Sequence, residues 1–190
     1  ATSDSICTLC EAGTMSNGTA CEACPGGQTS GEGEAFCTVC PQGEFALIGG
    51  MTCAECPAGS KCSSGIQSDC NGEGQYAEAG ASACSTASAG NQPNADHTAE
   101  TKCGRGKASL GGATECDDCA AGATFQTDEG QATCLECSEC GPGTEQTEAC
   151  TATSDSICTL CEAGTMSNGT ACEACPGGQT SGEGEAFCTV

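Results

Sequence analysis

The chain has no tryptophan, one tyrosine and four phenylalanines in 190 residues. Once 23 cysteines and 28 alanines are set aside, only 19 large apolar side chains remain. Each contributes ~1.5–3 kcal/mol when buried, against ~1–2 kcal/mol to order every residue's backbone. A conventional hydrophobic core is therefore excluded, and covalent links or metal must hold the fold. Basic residues are equally scarce, with four Lys and Arg against 26 acids and a net charge of −22. That charge repels phosphate backbones and anionic lipid, so nucleic acid is excluded as a partner. The longest apolar run, Phe45-Ala46-Leu47-Ile48, is far short of the ~20 residues of a membrane span, so this window is not expected to insert directly into a membrane. No secretory signal is visible, but the chain starts at Ala1 and stops at Val190 in mid-pattern, so a longer protein is expected.

What is abundant is repetition. Residues 1–39 recur without change as residues 152–190, an offset of 151. The simplest account is a long protein of near-identical units of that length, each holding 18 cysteines. A finer period lies inside the unit. Cys-x-x-Cys pairs stand at Cys7/Cys10, Cys21/Cys24, Cys37/Cys40 and Cys53/Cys56, and the series resumes at Cys116/Cys119, Cys134/Cys137 and Cys137/Cys140. The filler often opens with Pro-x-Gly, as in Cys24-Pro25-Gly26-Gly27, Cys40-Pro41-Gln42-Gly43 and Cys56-Pro57-Ala58-Gly59. Proline fixes one backbone angle and glycine permits positive φ, so each motif predicts a turn after a cysteine. No helix-period stripe exceeds a turn or two, and strand-like stretches such as Phe45–Ile48 are short.

With 23 cysteines among 190 residues, the chain passes the ~8–10 per cent that marks a disulfide scaffold. Zinc is the structural competitor, because Cys7-x-x-Cys10 and Cys21-x-x-Cys24 have tetrathiolate spacing. Three things favour disulfides. The pairs run as an unbroken series rather than closing in fours, cations to balance thiolate charge are scarce, and Asn17-Gly18-Thr19 is a glycosylation sequon of secreted proteins. A thioredoxin-like role for any Cys-x-x-Cys lacks its βαβ setting.

Cys40-Pro41-Gln42-Gly43-Glu44-Phe45 and Cys56-Pro57-Ala58-Gly59-Ser60-Lys61-Cys62 resemble ephrin-receptor-like cysteine-rich repeats. Residues 119–158 resemble a tumour-necrosis-factor-receptor cysteine-rich domain, through Cys134-x-x-Cys137-x-x-Cys140-Gly-Pro-Gly-Thr, Cys150 and Thr153-Ser154-Asp155-Ser156-Ile157-Cys158. The receptor linkage carried onto these positions implies Cys119–Cys134, Cys137–Cys150 and Cys140–Cys158. The simple repeat implies that the second Cys of one pair closes on the first of the next: Cys10–Cys21, Cys24–Cys37, Cys40–Cys53, Cys161–Cys172 and Cys175–Cys188. Similar logic pairs the remaining six as Cys56–Cys62, Cys70–Cys84 and Cys103–Cys116, the first of these closing an unusually short loop. Cys7 is left over, and because its counterpart Cys158 pairs backward, its partner is expected upstream of Ala1. Loops of this size each contribute on the order of 3 kcal/mol in the loop-entropy treatment, enough to replace a missing core.

Other candidates are weaker. The sequon occurs at Asn17 and again at Asn168. Asn-Gly is also a common turn dipeptide, but in an oxidising compartment glycosylation is the favoured reading. His97, the only histidine, has no second histidine beside it and reads as a loop residue. Gly104-Arg105-Gly106-Lys107 lacks the first glycine and the final Ser/Thr of a phosphate loop. The acids are dispersed, without the ladder of an EF-hand, and serve solubility, with weak diffuse calcium binding as the lesser alternative. No catalytic constellation is present, so no enzyme, metal site or cofactor is expected beyond covalent glycans. Three of the four bases, Lys102, Arg105 and Lys107, cluster, and one basic patch per unit is a candidate dock for the acidic face of a neighbour.

The expected fold is a set of small disulfide-rich repeat modules forming an elongated, solenoid-like rod, with short β-hairpins, little helix and no large hydrophobic core. Residues 1–56 hold the first cysteine-rich repeats and 57–118 variant repeats. The receptor-like domain spans 119–158, and 152–190 begin the next unit. The expected function is structural: an extracellular, disulfide-stapled, glycosylated filament or surface appendage that associates with itself, in which each unit contacts chiefly its neighbours. The ephrin-receptor-like resemblance extends to surface proteins of protists and algae such as flagellar mastigonemes, which implies a coat or appendage on the cell surface. The alternative, implied by residues 119–158, is a ligand-binding receptor ectodomain.

Overall fold

The computed structural model describes residues 8–190, and no helix occurs among them. Every sheet has two strands. The chain divides into two compact units, Ala1–Ala87 with Pro93–Thr101, and Ser88–Gln92 with Lys102–Val190. In the first, antiparallel hairpins pair Thr14–Ser16 with Cys21–Ala23, Gln28–Thr29 with Thr38–Val39, Glu44–Phe45 with Ala54–Glu55, Ser60–Ser63 with Ile66–Asp69, and Gln75–Tyr76 with Ser85–Thr86. In the second, Lys107–Ala108 pairs with Asp117–Asp118, Thr124–Phe125 with Leu135–Glu136, Thr144–Glu148 with Ile157–Leu160, and Thr165–Met166 with Glu173–Ala174. The modules are therefore small, disulfide-rich hairpins, as the cysteine series implies.

The turn after each Cys-Pro explains the local geometry. Gln28, Glu44, Ser60 and Gln179 donate their N–H to the carbonyls of Pro25, Pro41, Pro57 and Pro176, three residues back. The third residue of each turn is a glycine at φ of 81–86° (Gly27, Gly43, Gly59 and Gly178), the requirement of a type II turn. The strand expected over Phe45–Ile48 stops at Phe45. Gly49 at φ 72° and the bond from Gly50 N–H to the Leu47 carbonyl turn the chain instead, leaving Leu47 and Ile48 exposed.

The turn glycine also joins one repeat to the next. Gly43 accepts the N–H of Cys56 at its carbonyl, 2.8 Å, and donates its own N–H to Cys62 of the following repeat, 3.1 Å. Gly27 does the same with Cys40 and Ala46, and Gly59 with Cys70 and Ala77. In the second unit Gly106 and Gly143 repeat the pattern, accepting from Cys119 and Cys161 and donating to Gln126 and Ser167. A second glycine returns the contact, as Gly49 N–H meets the Cys24 carbonyl and Gly80 N–H that of Cys56, each at 2.8 Å. A Cβ on Gly43 would collide with the carbonyl of Gly80, so backbone packs directly on backbone.

What is buried is small. Cys24, Cys62, Ala77 and Cys161 are fully buried, and among the large apolar residues described only Phe125 is buried. Leu9, Phe36, Leu47, Ile48, Leu110 and Phe187 face solvent. The usual partition of residue size is inverted, because a layer of sulfur and methyl groups between two-stranded hairpins has no room for larger side chains. Buried serines complete it. Ser30, Ser109 and Ser181 donate their hydroxyls to the carbonyls of Thr14, Asn91 and Thr165 at 2.6–2.8 Å, and no buried side-chain polar atom lacks a partner among the described residues.

Candidate functional site

Disulfides are the chemistry that dominates the chain. Eleven join all 22 cysteines of the described residues, with Cα–Cα separations of 5.5–6.0 Å. The structure brings together Cys10 and Cys21, Cys24 and Cys37, Cys40 and Cys53, Cys56 and Cys62, Cys70 and Cys84, and Cys103 and Cys116. It also joins Cys119 to Cys134, Cys137 to Cys150, Cys140 to Cys158, Cys161 to Cys172, and Cys175 to Cys188. Ten enclose sequence separations of 11–18 residues, and Cys56–Cys62 encloses six. Cys7 lies outside the described residues. A bonded sulfur is neither a thiolate nucleophile nor a thiolate ligand. The approach of Cys137, Cys150 and Asp155 within 4.8 Å is therefore no thiolate site, because the first two are bonded to each other.

Asp155 instead ties down the loop that carries it. The Ser138 N–H and hydroxyl donate to its two carboxylate oxygens at 2.6 Å each, and the Ser156 N–H adds a third bond at 2.7 Å. Stabilised as the anion by the Ser138 hydroxyl first and by the two N–H groups after it, the carboxyl sits below the usual carboxylate range. His97 does a comparable job at a backbone φ of 54°. Its Nδ1–H donates to the Gln75 carbonyl at 2.6 Å while its own carbonyl accepts from Ala77 at 2.9 Å.

The three clustered bases differ in their surroundings. Lys107 lies directly across a hairpin from Asp118 and forms an ion pair with it at 2.7 Å. The hydrogen bond to Asp118 raises the pKa of the ammonium. Lys102 lies with its stem along Gly130, and Arg105 is exposed. Both sequon asparagines are exposed. Asn17 opens a turn in which its Oδ1 accepts from the Thr19 N–H and hydroxyl and the Ala20 N–H at 2.9–3.0 Å, while its Nδ2 donates to Glu22 at 2.6 Å. The sequence pattern does not reveal the buried serines, since serine is abundant throughout; only their recurrence at one place in the repeat, as at Ser30 and Ser181, marks them.

A chain of small disulfide-closed hairpins of this kind defines an extracellular, disulfide-rich repeat protein. The family model of the TNFR/NGFR cysteine-rich region matches residues 119–158, so this segment is a TNFR-like cysteine-rich module. It holds Cys119–Cys134, Cys137–Cys150 and Cys140–Cys158, with the Asp155 clamp between the last two. No curated protein matches the chain. No helix among the described residues is long and apolar enough to cross a membrane.

Proposed function

We propose that this chain is part of a structural repeat protein that forms an extracellular, disulfide-stapled filament or surface appendage, with itself as its principal partner. One observation carries the reading: the turn glycine of one repeat donates its N–H to the next, as Gly27 does to Ala46 and Gly43 to Cys62. A module built so that its neighbour completes it suits a tandem array whose length is set by copy number. The exact recurrence of 39 residues points the same way, since gripping one ligand calls for one specialised repeat rather than copies. Glycans at Asn17 and Asn168 would add bulk and solubility to such an array, in keeping with their exposure. Lys102 and Arg105 remain the candidates for lateral docking, whereas Lys107 already has Asp118.

A second reading is a ligand-binding receptor ectodomain, favoured by the TNFR-like module at residues 119–158. Electron microscopy of the native, non-reduced protein beside a dithiothreitol-treated sample separates the two. Filaments with a regular axial repeat that fray on reduction are the expected result. Short discrete rods that never associate would move the assignment to a receptor or secreted binding module.

A further inference from the structure

The second unit carries a shallow cavity of about 430 Å³ lined by Met166, Asn168, Ala171, Glu173, Ala186 and Phe187. Its volume falls within the ~300–1,000 Å³ of small-ligand sites. Phe187 is 77% exposed, and its counterpart Phe36 in the first copy is 80% exposed. A ring left in water twice, at the same point of an identical sequence, calls for a cover. One wall of this cavity is itself a modification acceptor, because Asn168-Gly169-Thr170 is a sequon. In the first copy the sequon asparagine is held in a turn, its Oδ1 accepting from the Thr19 N–H and hydroxyl and the Ala20 N–H at 2.9–3.0 Å and its Nδ2 donating to Glu22 at 2.6 Å. At Asn168 the asparagine is exposed on the wall of the cavity.

We propose that Asn168 carries an N-linked oligosaccharide whose first sugar packs its C–H face on Phe187 and Met166, so that the glycan covers the exposed ring. The inference rests on the glycoprotein reading above and goes further, in giving the glycan a seat on the protein. The donor is a lipid-linked diphosphate oligosaccharide of the secretory pathway. Asn168 Nδ2 attacks the anomeric carbon of the reducing-end sugar, forming a C–N bond. The C–O bond to the diphosphate breaks, the lipid diphosphate leaves with the electron pair, and Nδ2 loses one proton. Nothing is oxidised or reduced.

The test uses the whole chain secreted from insect cells with Asn17→Gln, so that Asn168 is the remaining sequon. Enzymatic deglycosylation in ¹⁸O-water followed by mass spectrometry reads occupancy at Asn168 as labelled aspartate. NMR of the intact glycoprotein reads ring-current shifts of the first sugar's C–H protons. Occupancy together with shifts that vanish in Phe187→Ala, at unchanged occupancy and with no free thiol beyond that of the parent chain, is the expected result. An occupied Asn168 whose sugar protons are the same with and without the ring overturns the packing and leaves the glycoprotein reading standing. An unoccupied Asn168 on the secreted chain overturns the packing and the glycoprotein reading at this sequon.

Discussion

Residues 8–39 and 159–190 have the same sequence and different neighbours, and their structures differ most plainly where a neighbour is involved. Both copies close the same two disulfides, Cys10–Cys21 with Cys24–Cys37 and Cys161–Cys172 with Cys175–Cys188. Both keep the bond from the second cysteine pair back to the turn glycine, Cys24 to Gly13 at 2.8 Å and Cys175 to Gly164 at 2.9 Å. The first copy is followed by the hairpin of Glu44–Phe45. There Cys24 is fully buried, Gly27 N–H finds Ala46, and Gln28–Thr29 pairs with Thr38–Val39. The second copy contrasts with it. There Cys175 is half-buried, Gly178 is exposed, and the pairing shrinks to a single bridge, Thr180 to Thr189. Upstream the contrast reverses. Gly169 sits under the carbonyl of Cys140 and Cys172 N–H reaches Glu145 at 3.3 Å, whereas a Cβ on the equivalent Gly18 would meet no described residue within 4 Å. Each repeat carries its own staples and takes the rest of its order from the repeats on either side, the nearest-neighbour behaviour of a one-dimensional array.

Removing a staple breaks the comparison most strongly. The Cys24→Ser/Cys37→Ser and Cys175→Ser/Cys188→Ser variants delete loops of the same sequence separation, 13 residues, so loop entropy assigns both a loss of ~3 kcal/mol. The first is expected to spread further, because Gly49 N–H is bonded to the Cys24 carbonyl. Hydrogen exchange read by mass spectrometry should show lost protection over residues 44–55 in the first variant and only local loss in the second. Equal, local effects would mean that the repeats do not support each other. A finer probe uses the turn glycines. Both have φ of 86°, which strains alanine by ~1–2 kcal/mol. At Gly27 the added Cβ also meets the Ser64 carbonyl at 2.7 Å, whereas at Gly178 it meets nothing within 4 Å. Gly27→Ala should therefore destabilise its repeat by roughly 1–2 kcal/mol more than Gly178→Ala, within the range of backbone strain at constrained sites. Denaturant-dependent exchange of the flanking amides measures the difference.

How far the sequence discloses this can be argued residue by residue. The absence of helix, the short hairpins and the small core follow from Cys-x-x-Cys spacing, from Pro-x-Gly after cysteine and from the dearth of large apolar residues. The division of labour among the apolar residues does not follow. Phe125 is buried and Phe36 is exposed, yet both are lone aromatics among small residues, and only the thickness of the layer between hairpins decides between them. Glycine at Gly43 is legible as a turn former, but the pressure of the Gly80 carbonyl against it is a contact between residues 37 positions apart that no local pattern carries. The basic cluster reads as one patch in sequence, and strand register then gives Lys107 to Asp118.

The buried serines supply the control in which the two copies should agree. Ser30 Oγ donates to Thr14 and Ser181 Oγ to Thr165, bonds formed wholly within the repeated sequence. Ser30→Ala and Ser181→Ala should each lose about 1 kcal/mol, the net worth of one hydrogen bond, by the same exchange measurement. A large inequality would place neighbour effects inside the copy as well as at its edges.

The smallest effect concerns the loop that precedes the second copy. Asp155 has its folded-state pKa held below the ordinary carboxylate value by Ser138 and Ser156. A depressed carboxylate contributes stability that is fully present above the ordinary aspartate pKa of ~3.9 and is lost as pH falls through the folded value. The Ser138 amide resonance should therefore be pH-independent near neutrality and move only in acid, below that ordinary value. Because the group is no more than half-buried, its contribution is small and screened by salt. Asp155→Asn should abolish the acid transition of Ser138 and leave exchange protection around Cys161 and Cys175 unchanged. Movement of those distant amides with the same midpoint would show that the loop at Asp155 is coupled into the repeat that follows it.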